Sequence, residues 1–109
     1  MASAVLIAFC TCPDTESAGR LTTAVVTEGL AACVNQLPGV QSTYMWQGRL
    51  HHDSEVLLLI KTTADQLATL AARIKALHPY ELPEFIAVPV CAGSESYLDW
   101  IRQNTASKY

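Results

Sequence analysis

Strand-like apolar runs and helix-spaced runs alternate along this chain, and their order restricts the fold more than any motif does. Residues 4–12, AVLIAFCTC, form an apolar, β-rich run that reads as a central strand. The next segment, PDTESAGRLTTAVVTEG, reads as a helix because Ala18, Leu21, Val25 and Val26 recur at helical spacing. Asp14 is placed to cap its N-terminus, and Glu16 suits the positive end of the helix dipole. Gly29 fits the left-handed position that closes a helix. LAACVNQL is a second strand, broken at Pro38-Gly39 by a turn or bend and resumed by VQSTYMWQG. Period-two alternation puts Tyr44 and Trp46 on one face of it. The polar, glycine-containing QGRLHHDS is expected to be the hairpin connection to a third strand, EVLLLIKTT.

TADQLATLAARIKALH is the clearest helix, with Leu67, Leu70, Ala71, Ile74 and Leu77 on one stripe and Thr63 and Gln66 spaced as a capping box. EFIAVPVC is a fourth strand, and Pro89 inside it calls for an edge position or a bulge. GSESYLDWIRQ is a short closing helix capped by Ser94 or Ser96. The order is β-α-β-β-α-β with a terminal helix, the ferredoxin-like pattern, over a single domain spanning residues 1–109. Helices are expected on one sheet face. The strands are apolar on both sides, so the other face is expected to meet a second subunit.

Composition supports that reading. Charged residues make up 16 % of the chain, against roughly 25 % in ordinary soluble domains. Such a surface is expected to be partly buried in a homo-oligomer. The net charge of −3 and the scattered lysines and arginines argue against a nucleic-acid partner. No apolar run approaches the ~20 residues that span a bilayer. MASAVLIAFC has no basic residue before its apolar run, and Pro13-Asp14 follows at once, so it reads as a strand and not a signal peptide. A cytoplasmic setting follows, with Cys10, Cys12, Cys33 and Cys91 as reduced thiols.

Three stretches carry candidate chemistry. In CTC, Cys10 and Cys12 are two apart on a strand, on one face, with Cα atoms roughly 6.5–7 Å apart. Two thiolates there can grip a soft ion such as Cu(I) if the strand end curls. In HPYELPE, His78, Glu81 and Glu84 can ligate metal or move protons. The same stretch is also punctuation, because Pro79 stops the helix and Pro83 biases Leu82 toward an extended conformation. His51-His52, in an expected loop with Asp53, can converge on Cu(II) or Zn(II). Catalysis finds no support. There is no nucleophile-elbow serine and no glycine-rich phosphate loop, and Cys33 would need a nearby base and a depressed pKa, the reverse of what an apolar strand leads one to expect.

Taken together, GLAACVNQLPGVQSTYMWQG, EVLLLIKT, HPYELPEFIAVPV and SYLDWI resemble the CutA family of divalent-cation tolerance proteins. The succession A-A-C-V-N, Y-x-W-x-G, I-K-T and H-P-Y-E-x-P-E is specific, and the likeness runs over nearly the whole chain. The resemblance implies a ferredoxin-like subunit in a compact homotrimer, with edge strands paired between subunits. It implies a link to copper tolerance and, for some members, divalent-metal binding, with copper as Cu(II) or Cu(I) and no organic cofactor or established reaction. The ligands it implies are Cys10 and His78. Some relatives carry two adjacent histidines at that helix end, where this chain has Leu77-His78. Cys12 lies outside the family pattern and is a candidate replacement ligand. The implied trimer is similar to PII-type signalling trimers, which bind small ligands between subunits. On that likeness Cys33, Tyr44, Trp46, Glu55, Lys61, Tyr80, Glu81 and Glu84 are expected at an inter-subunit cleft. Aromatic walls, one cation and a few acids suit a ligand pocket, and equally a polar network that fixes trimer register.

Overall fold

The first strand, β1 (Val5–Cys12), runs through the middle of a four-stranded antiparallel sheet in a computed structural model that describes residues 3–105. The remaining elements are α1 (Thr15–Thr27), β2 (Cys33–Trp46), β3 (Arg49–Thr63), α2 (Leu67–Leu77), β4 (Ile86–Pro89) and α3 (Glu95–Gln103). A 3-10 turn, Ala64–Gln66, leads into α2. The strand order is β2-β3-β1-β4. Pro89 therefore lies on an edge strand, where its missing N–H costs no ladder bond.

The ends of α1 form as the residue types require. Asp14 accepts a hydrogen bond from the Ser17 amide at 2.8 Å. At the other end Gly29 takes φ +75°, and the amides of Gly29 and Leu30 return to the carbonyls of Val26 and Val25. That is a Schellman closure, and it needs the left-handed residue. Cross-strand register puts Ala8, Cys10 and Cys12 beside Ile60, Leu58 and Val56 on the face covered by the helices. There they pack with Ala18, Leu21, Val25, Leu70 and Ile74 in one core cluster. Each fully buried Leu or Ile in it contributes about 1.5–3 kcal/mol.

The opposite face is apolar too. Phe9 pairs with both Leu59 and Ile86, and Ile7 stands beside Val88. Ile86 is 60 % exposed, and Val88 and Leu37 are also open to solvent. β1 pairing ends at Cys12↔Val56, but β2 and β3 stay paired out to Trp46↔Arg49. Residues 40–46 and 49–55 thus form a two-stranded ribbon beyond the main sheet, and the longest principal extent is 46 Å.

Four local expectations are corrected. The connection between β2 and β3 is only Gln47-Gly48, both at positive φ, and not the whole of residues 47–54. A two-residue turn with both central residues left-handed suits the strand twist, so pairing extends to the tip. His51 and His52 consequently lie on a strand and face opposite ways. His51 stacks on Tyr44, and His52 bonds Thr43 at 3.1 Å, so they do not converge on an ion. Thr63 makes no side-chain cap bond, because the chain enters α2 through the 3-10 turn. At Pro38-Gly39 the strand continues through a register shift between Leu37 and Val40, with Gly39 at φ +79°.

Candidate functional site

β1 ends where α2 ends, and that meeting point gathers three soft or borderline ligands. The ligand atoms of Cys10, Cys12 and His78 all lie within 4.8 Å of one another, and all three residues are buried. Cys12 Sγ is 3.8 Å from His78 Nε2. Strand periodicity brings the two thiols to one face, and Pro79 fixes where α2 stops and where His78 turns inward.

His78 has both ring nitrogens engaged. Nδ1 accepts from the Tyr80 amide at 3.0 Å, which leaves Nε2 carrying the proton and donating to the Thr11 carbonyl at 2.7 Å. The ring therefore clamps the 78–80 turn to the end of β1. The thiols are asymmetric. The hydrogen bond shared with Cys12, then burial, pushes Cys10 far above the ordinary thiol range, with the carboxylates of Glu84 and Glu55 adding to it. The same hydrogen bond pulls Cys12 below the ordinary value, against burial. Cys12 is thus the thiol that ionises first. The donor set fits a thiophilic ion through its two sulfurs. His78 joins such a set once Nε2 releases the Thr11 carbonyl.

Thr11 and Tyr80 also line a groove of about 840 Å³. Its walls include Tyr44, Trp46, Glu55, Glu81 and Glu84, so six of the residues expected at a cleft come together. Tyr80 donates to Glu55 at 2.8 Å, and Tyr44 donates to Asp53. Burial, then the bond to Glu55, raises the Tyr80 phenol well above its ordinary range. The bond to Asp53 raises that of Tyr44. Both phenols stay protonated.

Lys61 and Cys33 lie elsewhere. They face each other across β2 and β3. Lys61 donates to Asn35 at 2.5 Å and sits 5.8 Å from the Tyr97 ring centroid. Lys61 is six residues from Glu55 along β3, or about 20 Å. Sequence reasoning missed Asp53 as the partner of Tyr44 and Thr11 as the partner of His78. Asp53 becomes legible only once the two-residue turn sets the hairpin register. The Thr11 contact is made by a backbone carbonyl, which no residue type signals.

Together these features define a class: a small α+β protein with an antiparallel sheet, a buried sulfur–imidazole cluster at one strand end and an acidic aromatic groove beside it. Residues 6–104 match the family described as CutA1 divalent ion tolerance protein. The divalent-cation tolerance protein CutA of Thermus thermophilus is 50 % identical over 99 residues, covering 91 % of this chain and 96 % of that protein. Human protein CutA is 46 % identical over 103 residues, 94 % of this chain but 58 % of its own length. The chain thus spans little more than half of that relative. Among solved structures, CutA from Xylella fastidiosa superposes with a TM-score of 0.93 at 49 % identity, covering 95 % of this chain and 100 % of that one. CutA1 from Oryza sativa gives 0.94 at 38 % identity, with 98 % of each chain covered. The chain belongs to the CutA1 divalent ion tolerance family.

Proposed function

We propose that this protein is a metal-responsive homotrimer of ferredoxin-like subunits that takes copper at Cys10, Cys12 and His78. The observation that carries the reading is the convergence of those three ligand atoms within 4.8 Å in a buried pocket. Two sulfurs and one imidazole form a soft set, which favours Cu(I) over Cu(II). In this reading Cys12 is the third ligand, beside Cys10 and His78. Since both thiols must ionise to bind metal, loading releases protons. The family is described by tolerance to divalent ions and not by a reaction, and the proposed role is binding without catalysis.

The trimer is supported by two features of the single chain. One is the apolar sheet face carrying Leu37, Ile86 and Val88. The other is the projecting β2–β3 ribbon, since a two-stranded ribbon is marginal in water without something to pack on. Met45 and Leu50 near its tip are 63 % and 60 % exposed. Among the described residues no helix is long and apolar enough to cross a membrane. The cytoplasmic assignment rests on reading MASAVLIAFC as a strand and not a signal peptide. Relatives are named chloroplastic and periplasmic, so family membership alone does not fix a compartment.

Anaerobic titration with Cu(I) against a chromogenic competitor tests the metal reading. Wild type is expected to bind one ion per chain, and Cys10→Ser and Cys12→Ser each to lose it. Unchanged affinity in both variants would show that the ligands are wrong. A second reading, a trimer that binds small molecules, is favoured by the size and aromatic walls of the groove.

A further inference from the structure

We infer that Cys10 and Cys12 are a reversible redox pair, closed by a peroxide into a disulfide that takes both sulfurs from the proposed metal site and loosens the 78–80 turn. This adds a regulation to that site, and the disulfide itself stands on the thiols alone, with or without copper. The two sulfurs lie within 4.8 Å of each other in the buried cluster with His78. The contacts that tie the pair to Thr11 and His78 are all made within one chain.

The end of β1 has the reach and the freedom to close the bond. Two residues apart on a strand, Cα atoms stand roughly 6.5–7 Å apart. Disulfides usually span up to about 6.8 Å, so a small bend suffices. Pairing with β4 stops at Phe9↔Ile86, which leaves Cys10, Thr11 and Cys12 laddered to β3 alone. Pairing with β3 stops in turn at Cys12↔Val56, and Pro13 follows with no N–H to extend it. The Val5 carbonyl accepts from Val90 on the β4 side, and by strand parity the Thr11 carbonyl points the same way. Beyond the last β4 pair it is the His78 ring that takes this carbonyl, at 2.7 Å.

Both thiols are fully buried, which selects a small oxidant, a peroxide, over a bulky disulfide. One sulfur attacks a peroxide oxygen, the O–O bond breaks, and a sulfenic acid and water form. The second sulfur attacks the sulfenic sulfur, and the hydroxyl leaves as water with the second thiol's proton. Two thiols and one hydrogen peroxide thus give one disulfide and two waters, the thiols losing the two electrons that the peroxide gains. A disulfide carries no thiolate, so a soft ion loses both sulfur ligands. The Cys10 S–H that reaches the Thr11 carbonyl at 3.8 Å is lost as well. Bending the segment draws that carbonyl from His78, whose Nδ1 holds the Tyr80 amide at 3.0 Å. Oxidation is thereby passed from the strand end to the turn.

The test treats metal-free native protein with hydrogen peroxide, then alkylates and digests it for mass spectrometry. The peptide holding Cys10 and Cys12 is expected to lose about 2 Da, two hydrogens, and to escape alkylation. Dithiothreitol is expected to restore both thiols. Amide exchange at Tyr80 is expected to quicken several-fold in the oxidised form. Cys12→Ser, which cannot close the bond, is expected to keep the exchange rate of the reduced protein after peroxide. Oxidised wild type is expected to bind no Cu(I) until it is reduced. Oxygen added to either cysteine without the loss of hydrogens, or a disulfide that forms only in denaturant, would overturn the pair. Cu(I) binding that survives oxidation, or a Tyr80 amide indifferent to it, would overturn the switch. A protein that forms the disulfide and never binds Cu(I) would keep the redox pair and overturn the copper reading alone.

Discussion

The clamp that His78 makes and the ligand role proposed for it pull against each other. Its ring bridges the Thr11 carbonyl and the Tyr80 amide in a buried setting, and its Nε2 is also the atom a metal at the thiols would need. Replacing it by alanine leaves the Tyr80 amide without this partner and the Thr11 carbonyl with the weaker contact from the Cys10 thiol, at a cost of about 1–3 kcal/mol for each group that stays dry and unpaired. Chemical denaturation of His78→Ala is expected to show that loss without metal present, whereas Cys12→Ser, which keeps the ring, should lose metal with a smaller stability change. Equal stability of His78→Ala and wild type would remove the clamp from the account. Asp14 gives a pH test. Its carboxyl is held below the ordinary range by the hydrogen bonds from Ser17. A depressed folded value means the cap stabilises above the unfolded carboxylate value of about 3.9 and is lost as pH falls through the folded value. Asp14→Ala is therefore expected to lower the melting temperature at neutral pH, with the gap to wild type closing as pH falls below the ordinary carboxylate range. At this scale much was readable beforehand. Asp14, Gly29 and the paired thiols announce themselves through local spacing. The His78–Thr11 contact spans 67 positions and ends on a backbone oxygen, so no local pattern could reveal it.

Secondary-structure elements were legible where their periodicity answers to the core. β1, α1, the inner half of β3 and α2 all contribute side chains to one cluster, and their apolar spacing records that burial. Leu58, fully buried at the centre of this cluster, is the sensitive point. Leu58→Ala is expected to destabilise by about 2–5 kcal/mol in denaturant titration. The outer half of the hairpin was not legible. QGRLHHDS looks like a loop because its side chains are exposed on a ribbon that extends past β1, so no core imprints a pattern on it. The turn residues set the register there, together with the Tyr44–His51, Thr43–His52 and Tyr44–Asp53 contacts across the ribbon. Gly48 sits at φ +77° with open space around the position of a Cβ, so a substitution meets backbone strain and no clash. Gly48→Ala is expected to cost about 1–2 kcal/mol, with amide-exchange protection lost first along residues 40–55. Unchanged protection there would mean that the turn does not set the ribbon.

For the whole molecule, a low charge content and two apolar sheet faces point to burial that a single chain does not provide. The exposed face, the ribbon and both sheet edges are the surfaces on which copies would meet. The Cys10–Cys12–His78 cluster and the groove sit side by side, with Thr11 and Tyr80 touching both, so metal at the cluster would be felt in the groove. Native mass spectrometry of anaerobically Cu(I)-loaded protein tests assembly and metal together. The account predicts three 11.8 kDa chains carrying three copper ions, and a copper-free trimer for the Cys10→Ser/Cys12→Ser variant. A copper-binding monomer, or a double variant that keeps its copper, would contradict it.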